Sequence, residues 1–120
     1  MDLPPVDAAP LILSMQDGID WRCGEVNWQS GGWLTVWVDG LSPEADPGNL
    51  HVIVSGIPHH PESVDSSTGQ VNVRLRPLID AGLHKVELVH RGARSSQVEL
   101  RVIGSPPPIR GLEYLVAPPE

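Results

Sequence analysis

Apolar and polar residues alternate with a period of two along most of this chain. Between Gln70 and Ile103 the alternation is almost unbroken. Val71, Val73 and Leu75 interleave with Asn72, Arg74 and Arg76. Val86 and Leu88 interleave with Lys85, Glu87 and Val89. Val98, Leu100 and Val102 interleave with Gln97, Glu99 and Arg101. A period of two places one face of each segment in a core and the other in water, which predicts three antiparallel, half-solvated strands. Upstream, Leu34, Val36 and Val38 alternate with Trp33, Thr35 and Trp37, and Leu50, Val52 and Val54 alternate with His51 and Ile53. Both predict strands with those aliphatic residues inward.

Weaker patterns fill the rest. Pro10 to Met15 predicts a first strand with Leu11, Leu13 and Met15 on one side. Glu25 to Asn27 predicts a short strand inside an irregular segment, Gln16 to Gly32. A short edge segment is expected around Glu62 to Val64. Turn chemistry separates these pieces at Asp39-Gly40, Pro47-Gly48, Ser55-Gly56, Ser66 to Gly69 and Arg91-Gly92. No stretch repeats apolar residues at the helical period; Gly82 interrupts the best candidate, Pro77 to Leu88. About seven short strands at roughly 8–12-residue spacing predict an all-β fold, a β-sandwich. The domain is expected over residues 10–104, with an acidic lead-in at 1–9 and a Pro-rich tail at 105–120.

Composition narrows the picture. The 120 residues suit one domain with one core. Phenylalanine is absent and 40% of residues are apolar, so the core is expected to be Val, Leu and Ile. Fifteen acids against eight bases give a net charge of −7, which disfavours phosphate backbones and predicts no nucleic-acid partner. Cys23 is alone and leaves the redox compartment open. No apolar run approaches the ~20 residues of a membrane span, and residues 1–20 lack a basic segment followed by an apolar one. Neither membrane insertion nor a secretion signal is expected.

Three groups of residues occur together in order. Gly31-Gly32 precedes a strand ending in Asp39-Gly40-Leu41. Leu50-x-Val52-x-Val54-x-Gly56 is followed by Pro58 and Val64. Gly69-Gln70-Val71-Asn72-Val73 leads to Ala81-Gly82-x-His84-x-Val86-x-Leu88 and Gly92-Ala93-x-Ser95-Ser96. This resembles the IPT/TIG type of immunoglobulin-like domain, most of all the variant at the C-termini of secreted proteins of soil bacteria. The resemblance spans about Pro10 to Ile103 and rests on turn glycines and core valines. It implies an early-set immunoglobulin-like sandwich and a non-catalytic interaction or spacer module, extracellular or in the cell envelope. Its implied partners are protein domains of the same or a neighbouring chain, with polysaccharide as a further possibility. A carbohydrate-binding accessory domain and a self-assembling structural subunit are the alternative functions.

The chemistry-bearing residues point to binding and not to catalysis. Outward parity places Trp33, Thr35 and Trp37 beside Arg74 and Arg76 on the neighbouring strand. Indoles and guanidiniums dominate interface energetics, and indole faces stack on sugar rings. Trp33, Trp37, Arg74 and Arg76 are therefore the expected binding residues, with Tyr114 as cover or partner. The alternative is a second small core, in which Leu112 to Val116 or the Trp21/Trp28 segment folds over the indoles. His51, His59, His60, His84 and His90 show no zinc-ligand spacing, and the loop carboxylates Asp17, Asp20, Asp39, Glu44 and Asp46 show no calcium-loop spacing. No metal and no cofactor is expected. Nucleophile elbows, metalloprotease helices and phosphate loops are absent from the sequence, so no enzyme is expected.

Overall fold

A computed structural model describes residues 10–106. Ten strands occur among them: β1 Leu11–Asp17, β2 Glu25–Asn27, β3 Trp33–Asp39, β4 Leu50–Val54, β5 Ile57–His59, β6 Ser63–Asp65, β7 Gln70–Arg74, β8 Gly82–His90, β9 Ala93–Arg94 and β10 Val98–Ile103. They form two packed sheets, a β-sandwich. One has the order β1-β3-β7-β6; the other has β2-β10-β8-β4-β5, with β9 also on β8. The period-two alternation explains the layering directly. Leu34, Val36, Val38, Val71 and Val73 of the first sheet, with Leu75 just past the end of β7, face Leu50, Val52, Val54, Val86, Leu88, Leu100 and Val102 of the second. All are at most 5% exposed.

The structure departs from the sequence expectations at four places. Leu11 and Leu13 do not share the inward side with Met15: both are exposed, while Ile12, Met15 and Asp17 are buried. The cause is a β-bulge. Ile12 pairs with Val38 and Ser14 with Trp37, so Leu13 is an extra residue that resets the alternation. Two strands, β5 and β9, were not expected. Each closes a hairpin through a two-residue turn, Ser55-Gly56 and Arg91-Gly92, with φ of 50° and 82°, and of 53° and 85°. Short β2 runs parallel to β10, where an antiparallel arrangement was expected throughout. Finally, the strand read as running to Arg76 ends at Arg74.

The core also contains an aromatic residue. Trp28, in a single 3-10 turn at Trp28–Ser30, is 7% exposed, and its Nε1–H donates to the carbonyl of Ile79 at 2.9 Å. A buried indole needs such an acceptor. Among the described residues no helix is long and apolar enough to cross a membrane.

Candidate functional site

The outward face of the β1-β3-β7-β6 sheet collects the residues singled out above. Trp33 pairs with Arg74, Thr35 with Asn72 and Trp37 with Gln70. On one flank Ser14 and Gln16 of β1 lie opposite Trp37 and Thr35; on the other, Ser63 and Asp65 of β6 lie opposite Asn72 and Gln70. The Arg74 guanidinium carbon is 5.5 Å from the centre of the Trp33 ring, a cation–π contact. Trp37 donates through Nε1–H to Oε1 of Gln16 at 3.2 Å. Both indoles are half-buried.

The middle of this face is polar and closely bonded. The Thr35 hydroxyl donates to Oδ1 of Asn72 at 2.7 Å, and Nδ2 of Asn72 donates to the Ser63 hydroxyl at 2.9 Å. One row of side chains thus crosses three strands. Although Thr35 faces outward, it is only 1% exposed, because the turn after β1 lies across it. The amide of Gly18 donates to the Trp33 carbonyl at 2.9 Å. A Cβ on Gly18 would stand 3.1 Å from Cβ of Trp33 and 3.2 Å from the Thr35 hydroxyl, so only glycine lies there without displacing a neighbour. Asp17 builds that turn. Its Oδ1 accepts from the amides of Ile19 and Asp20 at 2.7 and 2.9 Å, and its Oδ2 from the amide of Asn27 at 2.8 Å.

Between this turn and β6 a groove of about 340 Å³ opens, lined by Gly18, Ile19, Trp33, Thr35, Glu62, Ser63 and Asn72. Ile19 is 55% exposed and forms an apolar wall. Glu62 is held at the opposite rim by its amide, which donates to the Asn72 carbonyl at 2.8 Å. The groove therefore offers an indole, an aliphatic side chain, an amide, hydroxyls and a carboxylate within one cleft. That mixture can hold a ligand with an apolar face and a hydroxyl-rich edge. At the far end of β6, the Ser67 hydroxyl bonds Asp65 at 2.6 Å and, with the Ser67 and Thr68 amides, keeps its carboxyl below the usual range.

Trp33, Trp37 and Arg74 thus share one face. Arg76 lies beyond the end of β7, exposed, with its amide donating to Nε2 of His59 at 3.1 Å. Tyr114 and the tail segment Leu112 to Val116 lie outside the described residues. Of the segments considered as cover, Trp28 is in the core and Trp21 is 56% exposed. Glu62, Ser63, Gly18 and Ile19 were missed as site residues. The sequence Asp17-Gly18-Ile19-Asp20 carries a turn signal, but nothing in it tells which face the turn crosses. Of the loop carboxylates considered for calcium, Asp17 is engaged with backbone as described and Asp46 with the amides of Gly48 and Asn49, while Asp20 accepts from the Ser30 hydroxyl and Glu44 pairs with Arg91. Among the described residues, no group of three or more His, Cys, Asp or Glu side chains is arranged to hold a metal.

No family model matches the chain, and no curated protein matches it. Among solved structures it is similar to a Bacteroides vulgatus protein described as a "putative bacterial DNA binding protein". The TM-score is 0.50 and the identity 14%, over 86% of this chain and 50% of that one. The chain therefore spans half the length of that protein, and at this identity the likeness is one of fold. It nonetheless overturns the expectation that nucleic acid is excluded as a partner. That expectation rested on a net charge of −7, a sum over the whole chain. Binding depends on the local field, and Arg74 on this face shows that a basic group can stand within an acidic total.

Proposed function

We propose that this domain is a non-catalytic immunoglobulin-like interaction module of a bacterial secreted or cell-surface protein, and that it binds through the outer face of the β1-β3-β7-β6 sheet. The strand orders support the immunoglobulin-like reading. Lettered in chain order with β2 as an addition to the first strand, the sheets run A-B-E-D and G-F-C-C′. One observation carries the binding reading: a half-exposed Trp33–Arg74 pair stands beside a groove floored by Thr35, Asn72 and Ser63.

The composition of that groove also favours the carbohydrate-binding alternative. A pyranose ring presents a face of C–H groups to an indole, and its hydroxyls both donate and accept. Trp33 supplies the stacking surface, Glu62 an acceptor, and Asn72 and Ser63 groups of both kinds. The test is a binding survey with the folded chain, using polysaccharides of different linkage and single- and double-stranded DNA. Binding of a polysaccharide is expected to weaken at least tenfold, about 1.4 kcal/mol, in Trp33→Ala and in Asn72→Ala. The thermal melt of each variant should stay within a few degrees of the parent. Binding that is unchanged in both variants would refute this face as the site. DNA binding with a steep salt dependence would assign the module to nucleic acid instead.

A further inference from the structure

A second candidate site lies on the other sheet. β4 and β5 pair with Val52 opposite His59 and Ile53 opposite Pro58, so the register brings His51 opposite His60. Their ring centroids are 4.4 Å apart and their planes are inclined by 52°. His51 is half-buried and His60 exposed. Nδ1 of His60 lies 3.0 Å from the Pro47 carbonyl. A carbonyl only accepts, so Nδ1 carries the hydrogen, and Nε2 of the neutral ring keeps its lone pair. A backbone acceptor on one imidazole nitrogen is the arrangement that orients histidines whose other nitrogen binds a metal.

We propose that His51 and His60 form a two-imidazole site for a divalent transition cation of the Ni²⁺ and Cu²⁺ class. With nitrogen about 2.1 Å from the metal, each ring centroid lies roughly 3.2 Å from it, and a right-angled pair of ligands puts the centroids roughly 4.5 Å apart. The observed 4.4 Å fits that angle. Right-angled nitrogen ligation belongs to tetragonal Ni²⁺ and Cu²⁺ more than to tetrahedral Zn²⁺, and imidazoles disfavour Ca²⁺ and Mg²⁺. With His60 exposed at the surface, a cation held by the pair would complete its coordination with water or a partner's donor. Of the other histidines, His90 is buried, its Nε2 without a hydrogen-bond partner, and the remaining two are engaged elsewhere. His84 bonds the Ser55 hydroxyl and the Asp80 carbonyl, and His59 bonds the Ile57 carbonyl and the Arg76 amide.

Ni²⁺ alone is the probe, since it does not oxidise the exposed Cys23. Titration into the untagged chain, followed by calorimetry and by histidine-ring NMR, is expected to give one site of micromolar affinity. The His51 and His60 ring signals should broaden first. Affinity should fall at least tenfold in His51→Ala and in His60→Gln, and stay unchanged in His84→Ala. Binding no tighter than millimolar, or micromolar binding that survives either of the first two substitutions, would overturn the proposal.

Discussion

Asp17 shows how one side chain shapes the candidate site without touching a ligand. It is 1% exposed and accepts three backbone hydrogen bonds, so the turn crossing Thr35 takes its form from this carboxylate. In Asp17→Ala those amides lose their acceptor in a largely dry place. A loss of about 2–4 kcal/mol in urea denaturation is expected. Residue periodicity can be checked in the same assay. Val73→Asp buries an unpaired charge and should unfold the domain, whereas Arg74→Asp on the opposite side of the same strand should cost roughly 1 kcal/mol or less. Equal losses in that pair would contradict the register of β7. The alternation at Val71, Val73 and Leu75 was legible because both faces of a strand are written in adjacent residues. The role of Asp17 was not, since its partner Asn27 is ten residues away in the chain.

At the scale of the element, β1 is the instructive case. Its apolar residues at 11, 13 and 15 suggest one inward side, yet the bulge turns Leu11 and Leu13 outward. Without Leu13 the remaining register is regular: Ile12, Met15 and Asp17 stay inward, while Ser14 and Gln16 stay outward. Deleting Leu13 is therefore expected to change stability by about 1 kcal/mol or less. Deleting Gln16 leaves no register that keeps both Met15 and Asp17 inward, and should cost several kcal/mol, on the order of an aliphatic residue lost from a core. Denaturation of the two deletion variants distinguishes these outcomes. A larger loss for the Leu13 deletion would show that the bulge itself is needed, for instance to set the twist at this edge.

At the scale of the whole molecule, His59 ties the two sheets together at one end of the sandwich. It sits on β5 of the second sheet, and its Nε2 accepts from the amide of Arg76, just past β7 of the first. Its Nδ1 lies 2.9 Å from the Ile57 carbonyl, so both nitrogens are satisfied only in the neutral ring. Burial, aided by the positive charge of Arg76, lowers its pKa from 6.5, against the opposing pull of the Ile57 and Val52 carbonyls. Between that lowered value and 6.5 the unfolded chain binds the proton and the folded one does not. Stability from this group is thus complete above pH 6.5 and declines as pH falls below it, until the folded-state value is reached. Urea denaturation between pH 7.5 and 5.5 should show a fall that is smaller in His59→Gln. An identical fall in both proteins would remove His59 from the account.

The sandwich itself was legible in the sequence because strand formation and burial are local: a side chain's face follows from its position in a two-residue repeat, and turn residues mark where each repeat stops. Trp33, Trp37 and Arg74 on one outward face follow from that parity and from the neighbour relation of β3 and β7. Tertiary structure alone decided what stands next to them. The groove needs the turn at Gly18 to cross Thr35 and the edge strand β6 to bring Ser63 to Asn72. The His51–His60 pair needs a hairpin whose second strand contains Pro58 and follows the weak turn signal Ser55-Gly56. These contacts join segments that no repeat relates. Their geometry arises only when the two sheets pack and the loops settle on them, where long-range hydrogen bonds and steric fit outweigh local preference.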